Sequence, residues 1–207
     1  IGFPQEDYST LETIRQTGGI VPDEYWEQNH QFFVNAVDVT KTLNVKYLTT
    51  HIGFIDHSCP ANYQKLLGRV KSMADRASQK QVILLMETGQ ESAEDLAQFL
   101  CDLDHPAIGI NFDPANMILY DKGNPCLSLK KLAPWVKHVH IKDAIFTRTP
   151  GLWGKEVAWG KGQVGAVAFL QTLKEIHYDG VVAVECEADS QIEDVSIAME
   201  NLIKFQG

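Results

Sequence analysis

Five short, almost unbroken apolar stretches recur along the chain, at 45–51, 82–87, 108–113, 136–141 and 181–186. Continuous rather than alternating hydrophobicity over so few residues predicts strands buried on both faces. Between them lie stretches whose apolar positions follow the helical period: 23–43 behind Pro22, 61–81 behind Pro60, 92–103, 165–177 and 191–205. Ser92 with Asp95 three residues on reads as a helix N-cap. Strands alternating with helices predict βα units and a parallel sheet. No internal repeat, low-complexity segment or linker interrupts the pattern, so one domain is expected over 1–207. One connection is unusually long. Residues 143–164, DAIFTRTPGLWGKEVAWGKGQV, hold four glycines, two tryptophans and three basic residues. A connection of this length is either functional, such as a lid over a site, or a decorated surface loop.

Composition narrows the functional classes. Hydrophobic residues make up 44% and charged residues 22% of the 207, ordinary for a globular protein. No apolar run reaches the roughly 20 residues that span a bilayer, so no membrane partner is expected. The formal net charge of −9 argues against a nucleic-acid binder, although Lys130, Lys131, Lys137 and Lys142 form a short basic cluster. Cys59, Cys101, Cys126 and Cys186 are widely spaced, with no C-x-x-C. They read as reduced thiols in a cytoplasmic protein.

The strands end alike. YLTTH closes on His51, VILLME on Glu87, IGINFD on Asp113 and VVAVE on Glu185, while HVHIKD carries His138 and His140. One acidic residue at a strand end usually just meets solvent. Five successive strands that each deliver a carboxylate or imidazole to the same end are harder to dismiss, because parallel strands present those ends on one face. Clustered, partly buried carboxylates repel one another and need protons or a cation. Glu87, Asp113 and Glu185 with one imidazole offer three hard oxygens and a borderline nitrogen. That set suits a divalent ion, Mn²⁺ first, with Mg²⁺, Co²⁺ or Zn²⁺ as the others.

LLMETG, NFDPAN, HVHIKD, the PGLWGKEVAWGKGQV loop and HYDGVVAVECE together resemble the xylose isomerase-like sugar isomerase/epimerase superfamily. The resemblance runs through most of the chain. It implies a (β/α)₈ TIM barrel with one divalent metal held by Glu87, Asp113, His140 and Glu185, the two glutamates also exchanging protons with the substrate. These ligands would end strands five to eight of such a barrel, with His51 ending strand four and residues 1–3 the tail of strand three. The first two strands have no counterpart, and a segment of roughly 50–70 residues is expected to be missing from the start. Three departures separate the relatives. Asn116 stands where endonuclease IV and the ketose 3-epimerases carry a His. The 143–164 loop has no His for a trinuclear zinc cluster. Phe146 stands where the epimerases have an Arg, which leaves Arg148 as a substitute.

The resemblance implies a metal-dependent isomerase or epimerase that removes a proton beside a carbonyl of a sugar or sugar phosphate, through an enediolate. The rivals are a dehydratase of the inosose or dehydroshikimate type and a non-catalytic sugar-binding barrel. Glu87 and Glu185 are the expected catalytic pair. His51, Asn116, Lys142, Arg148, Trp153 and Glu187 are the substrate-binding candidates, with Trp159 a second aromatic that could stack on a sugar. The expected partners are a small sugar or polyol and, since such barrels commonly pair, a second copy of the chain. Within HVHIKD, strand alternation puts His138, His140 and Lys142 on one face and Val139, Ile141 and Asp143 on the other. His138 then lies a layer deeper as a hydrogen-bonded core residue, and His140 reaches the mouth.

Overall fold

The computed structural model describes residues 1–149, 151–188 and 191–206. Its elements run α1 (Leu11–Thr17), a 3₁₀ turn (Asp23–Tyr25), α2 (Trp26–Thr42), β1 (Tyr47–Thr50), α3 (Pro60–Gln79), β2 (Ile83–Glu87), α4 (Ala93–Leu103) and β3 (Ile108–Phe112). They continue α5 (Pro114–Leu119), α6 (Pro125–Leu132), β4 (Val136–Ile141), β5 (Asp143–Ile145), β6 (Lys155–Val157), α7 (Ala166–Glu175), β7 (Val181–Val184) and α8 (Gln191–Gln206). All five expected strands form, and they make one parallel sheet in the order β1-β2-β3-β4-β7.

Local chemistry sets the helix starts. Pro60, Pro114 and Pro125 each open a helix, where a missing N–H costs nothing and the ring presets φ. The Ser92 side chain accepts from the Asp95 N–H at 3.1 Å, the cap expected from the spacing. Helices α1, α5 and α6 were not expected. They are 7, 6 and 8 residues long, too short to show a helical period.

Strand alternation divides core from site. Leu84, Met86, Ile110, Phe112, Val139 and Ile141 point to the helical layer and pack with Phe33 and Val37 of α2, Met73 of α3, Phe99 of α4 and Phe169 of α7. The intervening positions, among them Glu87, Asn111, His138 and His140, face the other side. Phe112 stacks on Phe169 with ring centroids 5.9 Å apart. Among the described strands β7 pairs only with β4, and its Val181 and Val182 are exposed. Residues 1–3 run beside β1 without forming a strand: the Thr50 hydroxyl donates to the Ile1 carbonyl at 2.8 Å. No helix among the described residues is long and apolar enough to cross a membrane.

The 143–164 connection contains an antiparallel ribbon of β5 and β6. The buried Asp143 pins it. Its carboxylate accepts from the N–H groups of Ala144, Gly160, Gly162 and Val164 at 2.9–3.0 Å. Gly162 comes so close that an added Cβ would sit 2.2 Å from Asp143 Oδ1.

Phe112→Ala is expected to destabilise the fold by about 3–5 kcal/mol, since it empties a fully buried site between sheet and helices. Urea unfolding at unchanged m-value is the check.

Candidate metal centre

Glu87 closes β2, Asp113 and Glu185 each stand one residue past β3 and β7, and His140 lies near the end of β4. The parallel register sets these ends side by side. Glu87 pairs with Asn111, Asn111 with His138, and His140 with Ala183. One donor atom from each of Glu87, Asp113, His140 and Glu185 lies within 4.8 Å of the others. His140 Nδ1 is 3.1 Å from Glu185 Oε2, 3.5 Å from Asp113 Oδ2 and 3.6 Å from Glu87 Oε1.

Asp113 is held from two sides. Its N–H donates to Thr88 Oγ1 at 2.8 Å, and the Thr88 hydroxyl donates back to the Asp113 carbonyl at 3.1 Å. Its Oδ1 caps α5, accepting from the N–H groups of Ala115 and Asn116 at 2.8 and 3.1 Å. That leaves Oδ2 buried with no hydrogen-bond partner, and His140 Nδ1 is in the same condition. Two orphaned donor atoms face each other among further carboxylates. Such atoms cost free energy unless something fills their lone pairs. Three oxygens and one nitrogen, preset by strand ends and a helix cap, fit a hard or borderline divalent cation.

Burial pushes the Glu87 carboxyl above its ordinary range, against the opposing pull of His51. Burial acts the same way on Glu185, but His140 and Lys142 beside it outweigh this and hold its carboxyl well below the usual range. For the His140 imidazolium, burial opposes the charge. The nearby Asp113 and Glu185 prevail and push it up to about 10. The buried Lys142 ammonium is kept charged by Asp113, Glu185 and Glu187, against its own desolvation. Its Nζ lies 3.9 Å from Asp113, 3.1 Å from Glu185, 3.6 Å from Glu156 and 2.5 Å from Glu187.

The cluster opens into a cavity of about 660 Å³. Of the substrate-binding candidates, His51, Asn116, Lys142, Trp153 and Glu187 line it. His51 Nε2 is 3.9 Å from Glu87 Oε1, and Asn116 Nδ2 donates to the same oxygen at 3.4 Å. Arg148 is exposed and is not among the lining residues. Trp159 is also placed elsewhere. It is buried against Phe169 with centroids 6.0 Å apart, as a packing residue rather than a sugar platform. Trp153, by contrast, stands over the cavity, edge-on to Tyr120, and its Nε1–H donates to the Tyr8 carbonyl at 2.9 Å. The long connection is therefore a wall of the site.

A family model described as xylose isomerase-like TIM barrel matches residues 15–205. The chain belongs to this family. Its sheet is accordingly part of a TIM barrel. A xylose isomerase domain protein from Planctomyces limnophilus has a crystal structure that superposes with a TM-score of 0.92, at 37% identity over 99% of this chain and 74% of that one. The D-allulose 3-epimerase from Methylomonas sp. in complex with D-allulose shares the fold, with a TM-score of 0.68 at 17% identity over 91% of this chain and 72% of that chain. Among curated proteins, the 3-dehydroshikimate dehydratase of Bacillus anthracis is 26% identical over 108 residues, 50% of this chain and 38% of the relative. The matches to such relatives span well under half of their length.

Within this xylose isomerase-like frame, sequence reasoning missed several cavity residues. Glu6, Tyr8, Thr49, Tyr120 and Glu156 all line the site. Glu156 Oε1 accepts from the backbone N–H groups of Glu187 and Ala188 at 2.8 and 3.2 Å and so ties the ribbon to the segment after β7. It sits in a connection without periodicity, where nothing marked it. Asn111 was legible in principle, because alternation puts it on the face of Asp113. Its amide joins both histidines: Oδ1 is 2.8 Å from His138 Nδ1 and Nδ2 is 3.1 Å from His140 Nε2.

The raised His140 value has a sign that can be measured. In the metal-free chain, its stabilising effect is fully present below the ordinary value of 6.5 and is lost as pH rises through about 10. A cation must displace that proton, because only the neutral imidazole ligates. Zinc uptake at pH 8 is therefore expected to release about one proton from His140, read by calorimetry in buffers of different ionisation enthalpy. His140→Ala should abolish that release.

Proposed function

We propose that this chain carries the active site of a divalent-metal-dependent sugar isomerase or epimerase, with Mn²⁺ as the preferred ion. The observation behind the proposal is the opposition of two glutamates. Glu87 and Glu185 approach one ligand cluster from β2 and from the end of β7, with β3 and β4 between them. Glu87, Asp113, His140 and Glu185 would hold the ion, which as a Lewis acid polarises a substrate carbonyl.

The protein groups divide the proton work. Glu185 is kept ionised by His140 and Lys142, so it begins as the base that takes a proton from the carbon beside the carbonyl. Glu87 approaches from the opposite side of the cluster, and its desolvated setting favours taking up a proton, so it is the group placed to return one. Environments that push two carboxyls in opposite directions are how one site runs both steps. His51 and Asn116 hold the Glu87 carboxyl from two sides. Trp153 and Tyr120 give the cavity an apolar wall against which a sugar ring can lie. The four free cysteines accord with a cytoplasmic setting.

A second reading is favoured by the dehydratase relative: the same abstraction beside a carbonyl, followed by loss of a β-hydroxyl. D-allulose and related ketoses in D₂O separate the two. Carbon-bound deuterium without dehydration supports the isomerase or epimerase, whereas a new conjugated absorbance from a cyclic keto-polyol supports the dehydratase. Glu185→Gln is expected to leave the fold intact and to lower turnover by about 10²–10⁴-fold. Turnover that survives this change, or survives chelation, overturns the mechanism.

A further inference from the structure

The Asn111 amide lies between two imidazoles and is itself fully buried on β3. As placed, Oδ1 meets His138 Nδ1 at 2.8 Å and Nδ2 meets His140 Nε2 at 3.1 Å, and the two ends of the amide are interchangeable in shape. The rings stand nearly perpendicular, with centroids 5.4 Å apart. An amide has one accepting and one donating end, and exchanging them leaves the heavy-atom shape unchanged. The exchange does change what each imidazole can do. If the NH₂ end donates to His140 Nε2, that nitrogen must present its lone pair. The proton of a neutral ring then sits on Nδ1, the atom aimed at Glu87, Asp113 and Glu185. Such a ring cannot ligate through Nδ1. If the carbonyl end faces His140, Nε2 carries the proton and donates it, and Nδ1 offers its lone pair to the carboxylate cluster.

Only the second arrangement is compatible with His140 as a ligand. It dictates the state of the other ring, because the NH₂ end then donates to His138 Nδ1, and His138 must keep its own proton on Nε2.

We infer that Asn111 is a positioning residue that, with its carbonyl on His140 Nε2–H and its NH₂ on His138 Nδ1, commits His140 Nδ1 to the metal. This rests on the metal-centre reading above. His138 follows the amide, accepting at Nδ1 with its own proton on Nε2. Hydrogen-bonded partners of ligating histidines fix tautomer and ring orientation in this way, and their loss typically weakens metal binding 10–100-fold.

The test uses zinc, which is diamagnetic, and ¹⁵N-labelled histidine in the chain as it stands. Long-range ¹H–¹⁵N spectra of the zinc-loaded protein should show His140 with a protonated Nε2 and His138 with a protonated Nε2 and a lone-pair Nδ1. A His138 protonated at Nδ1 in zinc-loaded protein overturns the proposal and leaves the metal site standing. Failure to take up zinc at all overturns both. Asn111→Leu should lower zinc affinity about 10–100-fold in a chelator competition. Asn111→Asp, which still accepts from His140 but cannot donate to His138, should keep affinity near that of the unaltered protein while moving the His138 proton to Nδ1. Equal affinity in Asn111→Leu and the unaltered protein contradicts the role. The spectra of the unaltered protein decide the question even if the leucine variant does not fold.

Discussion

Carboxylate repulsion governs this structure. Glu87, Asp113 and Glu185 converge on one point at the end of the sheet, with Glu156 and Glu187 close by. Like charges a few ångströms apart in a dry site oppose folding unless cations answer them. Among the described residues the Lys142 ammonium and the His140 imidazolium, both buried among the acids, answer them, with His51 3.9 Å from Glu87. The perturbed titration of Glu87, Glu185, His140 and Lys142 is one consequence of that crowding. The affinity of the site for a divalent ion would be another.

Asp113 shows how the fold keeps such a cluster in place. One carboxylate oxygen starts α5, the backbone is clasped by Thr88, and the remaining oxygen has nowhere to go but the cluster. The same residue is a strand end, a helix cap and a candidate ligand. A side chain with one oxygen already committed loses little further freedom when the other binds, so the site is organised in advance.

Much of this was legible in the sequence, for a physical reason. A buried parallel strand is a run of apolar residues, so a carboxylate or imidazole at its end stands out, and period-two alternation says which side it faces. That reasoning located Glu87, Asp113, His140 and Glu185 at strand ends, while depth along the strand and the family resemblance separated His138 from His140. It failed where no period exists. Glu156 reaches the cavity from the three-residue β6, Tyr8 from a loop and Tyr120 from the end of α5, and their types are common everywhere. Arg148 was expected in place of the Arg that the epimerases carry at the Phe146 position, and Trp159 as a second aromatic that could stack on a sugar. The turn fastened by Asp143 instead packs Trp159 into the core, while Arg148 is exposed. The short helices escaped because one or two turns carry no period to read.

The six residues of β4 write two messages in one frame. Val139 and Ile141 belong to the packing against the helices, and His138 and His140 belong to the chemistry, with Lys142 just beyond the strand continuing their series. Deleting or inserting one residue within this strand would exchange the two sets, sending the imidazole into the hydrocarbon layer and valine into the acid cluster. Substitutions can therefore vary β4 one position at a time, but changes of length cannot. Diversification of such a barrel is pushed into the connections, and 143–164, fastened at its base by a single aspartate, is built to absorb it.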